Sequence, residues 1–238
     1  HYNFGDSTQT FIDSGYPKNT TATVRSSDYV GFTAPTGYKF LGWATTRDSN
    51  KIEYAAGATV FVDATGNNNL YAVWQVKTYT IKWVNWDDSE VRTDTEVPYG
   101  TELEVPANPT READAEYTYT FAGWTPKIET VTGDATYKAT YTKEANTYTL
   151  TYDLDGGEWE NDTTYTYPKK YNEEVEVKAD PTKEGYTFVG WMSAEVEVVN
   201  GKFTMPAKNV TLKAKWEANI YKVTYDLDGG EWTEATNE

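Results

Sequence analysis

Internal repetition limits this fold more than any other feature of the sequence. One six-residue phrase occurs three times, as Tyr38-Lys39-Phe40-Leu41-Gly42-Trp43, Tyr119-Thr120-Phe121-Ala122-Gly123-Trp124 and Tyr186-Thr187-Phe188-Val189-Gly190-Trp191. A second phrase closes each unit: Leu70-Tyr71-Ala72-Val73-Trp74, Tyr137-Lys138-Ala139-Thr140-Tyr141 and Leu212-Lys213-Ala214-Lys215-Trp216. A third opens a unit, running from Thr147 to Trp159 and returning from Ile220 to Trp232. These phrases place repeats at 1–76, 77–145 and 146–218, with the opening of a fourth at 219–238. The first repeat starts at a position matching Thr224, so it lacks the beginning of its opening strand. Units of roughly 70 residues lie near the lower limit for folding without metals or disulfides.

The opening phrase alternates, with Tyr148, Leu150, Tyr152 and Leu154 on one side and Thr147, Thr149, Thr151 and Asp153 on the other. The closing phrase does the same, with Val210, Leu212, Ala214 and Trp216 facing one way. Period-two alternation makes half-buried strands. Asp155-Gly156-Gly157 supplies the positive φ angles of a tight turn after the opening strand. Helical periodicity is weak, and the best short helix candidates are Tyr171 to Ala179 and Thr101 to Ala107. The expected class is mainly β or α+β.

Composition removes several functions. Thirty-seven acidic against 21 basic side chains leave a net charge of −16, which disfavours nucleic acid and anionic membrane surfaces as partners. Apolar runs are far shorter than the roughly 20 residues of a membrane helix, so no membrane insertion is expected. Cysteine is absent and the one histidine is His1, which excludes disulfides, thiolate chemistry and histidine-based catalysis or metal binding. No cofactor, no metal and no enzymatic activity are expected.

Large aromatics compensate for small cores, because each buried ring removes 150–250 Å² from water. Trp43, Trp74, Trp124, Tyr141, Trp191 and Trp216 recur within the repeated phrases and are read as core. Trp86, Trp159 and Trp232 sit beside turns, where they either pack a hairpin or offer a stacking surface. Trp86 and Trp159, with nearby Tyr165 and Tyr167, are the candidate binding residues. The carboxylates Asp153, Asp155, Glu158 and Asp162 crowd one turn without the spacing of a calcium loop. No carboxylate pair, and no lysine–asparagine–acid set for an isopeptide bond, stands out by spacing.

The Gly-Tyr-x-Phe-x-Gly-Trp segment, the Asp-Leu-Asp-Gly-Gly opening, the lead-in Met205-Pro206-Ala207-Lys208-Asn209-Val210-Thr211 and the Leu-x-Ala-x-Trp ending resemble the internalin B-repeat, also called the Listeria-Bacteroides repeat. The resemblance implies tandem β-grasp-like, ubiquitin-like modules in an elongated array, outside the cell on a bacterial surface protein, attached to the wall or secreted. The middle repeat departs from the pattern: Thr118 stands where the others have Gly37 and Gly185, it ends in Tyr141 where the others end in Trp, and it opens with Ile81-Lys82-Trp83-Val84-Asn85-Trp86 in place of the Asp-Gly-Gly turn. The implied role is a non-enzymatic stalk or spacer with some adhesion. The alternatives are an adhesin for a host glycan or surface protein, or an accessory region of a large secreted hydrolase. The clipped first and broken fourth repeats, with no leader or anchor, suggest a piece of a longer protein. Residues 220–232 copy a first strand without its partners and are expected to be disordered or to pair with another chain.

Overall fold

The structure, a computed structural model, describes residues 2–3, 10–31, 33–66 and 68–231; Trp232 lies outside them. The chain falls into two compact units, 1–111 with 120–142, and 112–119 with 143–238.

The second unit shows the repeat most completely. The opening phrase forms β11 (Thr147–Asp153) and the closing phrase β16 (Val210–Ala218). They lie side by side and parallel, Leu150 opposite Val210 and Tyr152 opposite Leu212. β12 (Thr166–Lys170) and β14 (Tyr186–Met192) flank this pair antiparallel, giving the order β12-β11-β16-β14. A two-stranded ribbon of β13 (Glu174–Glu176) and β15 (Lys202–Thr204) brings Val175 opposite Phe203. Those residues join Leu150, Tyr152, Leu154, Met205, Val210 and Leu212 in one core. The turn after β11 follows the sequence: Asp155 has φ 49° and Gly156 φ 83°. Gly157 serves close approach, since a Cβ there would stand 2.4 Å from the Trp216 ring, whose Nε1 donates to Leu154 O at 3.0 Å.

In the first unit β1 (Tyr2–Asn3), β2 (Thr10–Phe11), β4 (Tyr38–Ala44) and β6 (Leu70–Val76) form the sheet β2-β1-β6-β4, with β3 (Thr20–Thr23) and β5 (Thr59–Val62) as the ribbon. β7 (Thr78–Val84), β8 (Glu90–Pro98), β9 (Tyr117–Thr125) and β10 (Ala135–Ala145) form the sheet β8-β7-β10-β9. In both sheets the first and last strands of the repeat pair in parallel, Tyr2 opposite Leu70 and Trp83 opposite Tyr137.

Neither expected helix forms. Glu174, Val175 and Glu176 alternate exposed, buried, exposed in β13, because a β-branched valine between two glutamates suits a pleated edge better than a helix. Residues 101–107 take no regular structure. Among the described residues the one helix is α1 (Ser27–Val30), begun by Ser26 Oγ accepting from Tyr29 N and ended by Gly31 at φ 71°. The glycine missing from the middle repeat has a structural counterpart. β9 and β10 extend two residues further, and Asp114 Oδ1 caps the turn by accepting from Glu116 N at 2.9 Å and Tyr117 N at 2.7 Å. An Asx turn therefore does the work of Gly37 (φ 81°) and Gly185 (φ 77°).

Candidate functional site

The residues read as core occupy the sheets. Trp43 has no exposed surface, and its Nε1 donates to Arg25 O at 2.9 Å. Trp74, Trp124, Tyr141, Trp191 and Trp216 are half-buried. Phe40, Phe121 and Phe188 each set an edge against the following tryptophan at 5.1–5.6 Å. Trp83 was not singled out by sequence although it is completely buried, stacked on Tyr137 at 4.8 Å with Nε1 donating to Asp94. Its signal was register: Trp83 sits where the third repeat has Tyr152.

Three of the four candidate binding residues meet. Trp159 stacks parallel to Tyr165 at 6.0 Å, meets the edge of Tyr152 at 5.3 Å and donates through Nε1 to Ala179 O at 2.8 Å. Lys178 Nζ sits 4.4 Å from the Trp159 ring and 4.7 Å from Tyr167, and it pairs with Asp162. Tyr167 Oη donates to Asp162 Oδ2 at 3.0 Å. Burial pushes the Tyr152 and Tyr167 phenols up from their ordinary value, so both stay neutral and neither is a base. Tyr165, 40% exposed, is the outward face of the cluster. Trp86 belongs to the other unit: it is 43% exposed, with the Arg111 guanidinium 4.1 Å from its ring. The acidic turn is tied by its own contacts. Lys213 Nζ lies 3.0 Å from Asp155 and 3.9 Å from Asp153, whose Oδ1 accepts from Asp155 N.

The joints between repeats are the other concentrated feature, and the sequence pointed only to their position. One residue, Lys77, separates β6 from β7, and one residue, Asn146, separates β10 from β11. Lys77 N donates to Gly37 O at 2.8 Å while Lys77 O accepts from Tyr99 N at 2.9 Å. Asn146 repeats both bonds, with Glu116 O at 2.9 Å and Tyr171 N at 2.8 Å. An incoming tyrosine thus clamps each joint. Tyr99 lies against Gly37, where a Cβ would stand 2.1 Å from its ring. Tyr171 sets an edge on Tyr117 at 5.5 Å, and its hydrogen bond to the Glu116 carboxylate raises its pKa. Asn146 adds side-chain bonds to Asp114 O and Thr118, and Tyr148 Oη donates to Ala115 O. Asn219, after β16, keeps the first half of this pattern, donating to Gly185 O at 2.9 Å.

Comparison with known proteins agrees with this repeat structure. A protein of Evansella cellulosilytica described as a Gly-rich membrane protein is 32% identical over 204 residues, 82% of this chain and 22% of that protein. Internalin H of Listeria monocytogenes is 39% identical over 85 residues, 34% of this chain and 14% of that protein. The chain therefore spans about a fifth of the first relative and less of the second. Among solved structures, SHIRT domains 3-4 of a streptococcal cell surface protein align with 60% of this chain and 99% of theirs, at 17% identity and a TM-score of 0.32. The profile of the Listeria-Bacteroides repeat domain matches residues 4–73 and 148–215, the first and third repeats and more than half of the sequence, so the chain belongs to the Listeria-Bacteroides repeat domain family.

Proposed function

We propose that this chain is a non-enzymatic spacer in a bacterial surface protein, holding other parts of that protein away from the cell. The joints carry the reading: a single linking residue with both backbone groups bonded, clamped by a tyrosine, resists bending where tandem modules would otherwise swivel. Family membership and relatives described as membrane proteins support the location. The sheet order second-first-last-third, with a parallel central pair, fits a β-grasp whose usual helix is reduced or replaced by a ribbon.

Spin-label distances test the stiffness, and the cysteine-free sequence makes labelling simple. Labels at Lys51→Cys and Glu102→Cys, both exposed in the first unit, should give a narrow distance distribution that broadens when Gly-Ser-Gly-Ser is inserted between Lys77 and Thr78. Equal breadth with and without the insertion would remove the basis for a spacer. The outward faces of Tyr165 and Trp86 favour a second reading, adhesion to a glycan or protein. Saturable binding to mucin or immobilised glycans, lost in a folded Trp86→Ala or Tyr165→Ala variant, would support it.

A further inference from the structure

The β4 edge of the first sheet is covered by the chain itself. Trp43 N donates to Tyr54 O at 2.9 Å, and Tyr54 N returns a bond to Trp43 O at 3.0 Å. Ile52 lies over Gly42, where a Cβ would stand 2.6 Å from its Cγ2. Between them Glu53 accepts from the Thr45 hydroxyl at 2.7 Å. An aliphatic, a charged and an aromatic residue in succession thus seat one antiparallel bridge on the edge.

The third sheet has the same edge without the cover. Trp191 stands opposite Ala214 as Trp43 does opposite Ala72, and both strands shift register just before the glycine, Gly190 or Gly42. The backbone groups of Trp191 therefore point outward, as those of Trp43 do. Among the described residues no bridge reaches Trp191 from its outer side, and nothing lies within 4 Å of a Cβ placed on Gly190. The cause is length. Val60, opposite Ala22, corresponds to Phe203, opposite Val175, yet Val60 follows Trp43 by 17 positions and Phe203 follows Trp191 by 12. The third repeat lacks the residues that make the bridge but keeps the acid. Ser193 stands where the first repeat has Thr45, and its hydroxyl donates to Glu195 at 2.8 Å. Glu195 also accepts from Thr211 N, and these bonds hold its carboxyl below the usual range. From Tyr186 to Ser193 there is no charged residue, and Val189 and Met192 are half exposed. The opposite edge, β12, carries Pro168, Lys169 and Lys170, which oppose strand addition.

We propose that the outer edge of β14 receives an extended segment of a partner protein. The segment runs antiparallel to β14, with a β-branched aliphatic side chain over Gly190, a lysine or arginine toward Glu195, and an aromatic residue paired with Trp191 through both of its backbone groups. The first repeat supplies the pattern within one chain, and Glu195, already in place, turns the middle position from acidic to basic. Main-chain bonds hold such a segment and its alternate side chains select it. The net charge of −16 favours the same basic partner. The spacer reading does not depend on this surface.

The probe is the blocked peptide acetyl-Lys-Ile-Lys-Tyr-Ala-amide, titrated into the isotope-labelled full chain and followed by NMR. The Trp191 amide should shift saturably and gain protection from hydrogen exchange, while the Trp43 amide, already bonded, stays as it was. Methylating the tyrosine nitrogen of the peptide removes the donor to Trp191 O and should raise the dissociation constant about tenfold. Glutamate in place of the central lysine should weaken binding several-fold, and Glu195→Gln should erase that preference. No saturable shift at Trp191 up to millimolar peptide, equal binding of the methylated peptide, or a lysine preference that is absent or survives Glu195→Gln overturns the proposal.

Discussion

Replacing Gly37 with alanine isolates the energy of the first joint. Gly37 and Gly185 hold matching places before their strands at φ 81° and 77°, so alanine pays the same left-handed backbone cost at both, about 1–2 kcal/mol. They differ in what the new methyl meets. At Gly185 nothing lies within 4 Å, whereas at Gly37 the methyl falls 2.1 Å from Cδ1 and 2.3 Å from Cγ of Tyr99. Tyr99 must leave, and overpacking of that kind adds about 1–3 kcal/mol. The expected costs are therefore about 2–5 kcal/mol for Gly37→Ala and about 1–2 kcal/mol for Gly185→Ala. Urea unfolding gives the totals, and hydrogen exchange at the Lys77 and Tyr99 amides reports the joint itself. In a Tyr99→Ala background the cost of Gly37→Ala should fall to the Gly185 value. Costs for the two glycines that agree within about 0.5 kcal/mol, or no relief on removing Tyr99, would refute the clamp.

Other substitutions probe the cores. Leu150→Ala, at a side chain 1% exposed, should lower stability by about 2–5 kcal/mol in urea unfolding, against about 0.5 kcal/mol or less for Val189→Ala, half exposed on the same sheet. Trp43→Phe loses a bond to Arg25 O that Trp191→Phe does not, since among the described residues no group accepts from Trp191 Nε1, so the first should shift the unfolding midpoint further. Burial works against the Asp13 carboxylate, but its hydrogen bonds from Arg25 and Tyr16 prevail and hold the pKa below the ordinary value. That group therefore adds stability above about pH 4, which is lost as pH falls through the folded value. Stability measured against pH should decline more steeply in acid for the native chain than for Asp13→Asn.

The strands were legible because their signal is local. Alternation in Tyr148 to Leu154 and in Val210 to Trp216 survives intact in β11 and β16, and Asp155-Gly156 turns where positive φ requires. The ribbon was not, because Val175 and Phe203 lie 28 positions apart in short segments and become strands only by facing each other. The same applies to Glu116, whose carbonyl replaces that of a glycine only once β9 and β10 are two residues longer. Trp159 was read by its place beside a turn, but its environment is set by Lys178 and Ala179, distant in sequence. Tyr99 and Tyr171 carried a faint signal, each preceding a residue at positive φ, Gly100 or Asn172.

The parallel pairing of first and last strands has a mechanical consequence. A chain that enters on one strand and leaves on its parallel neighbour is attached at opposite ends of the same ladder. Tension through the backbone then loads that ladder lengthwise, in shear, so its bonds must fail together and cannot be peeled off one by one. Four residue pairs share the load in the second sheet and four in the third. Under a pulling force each of these two ladders should hold until its four pairs give way at once.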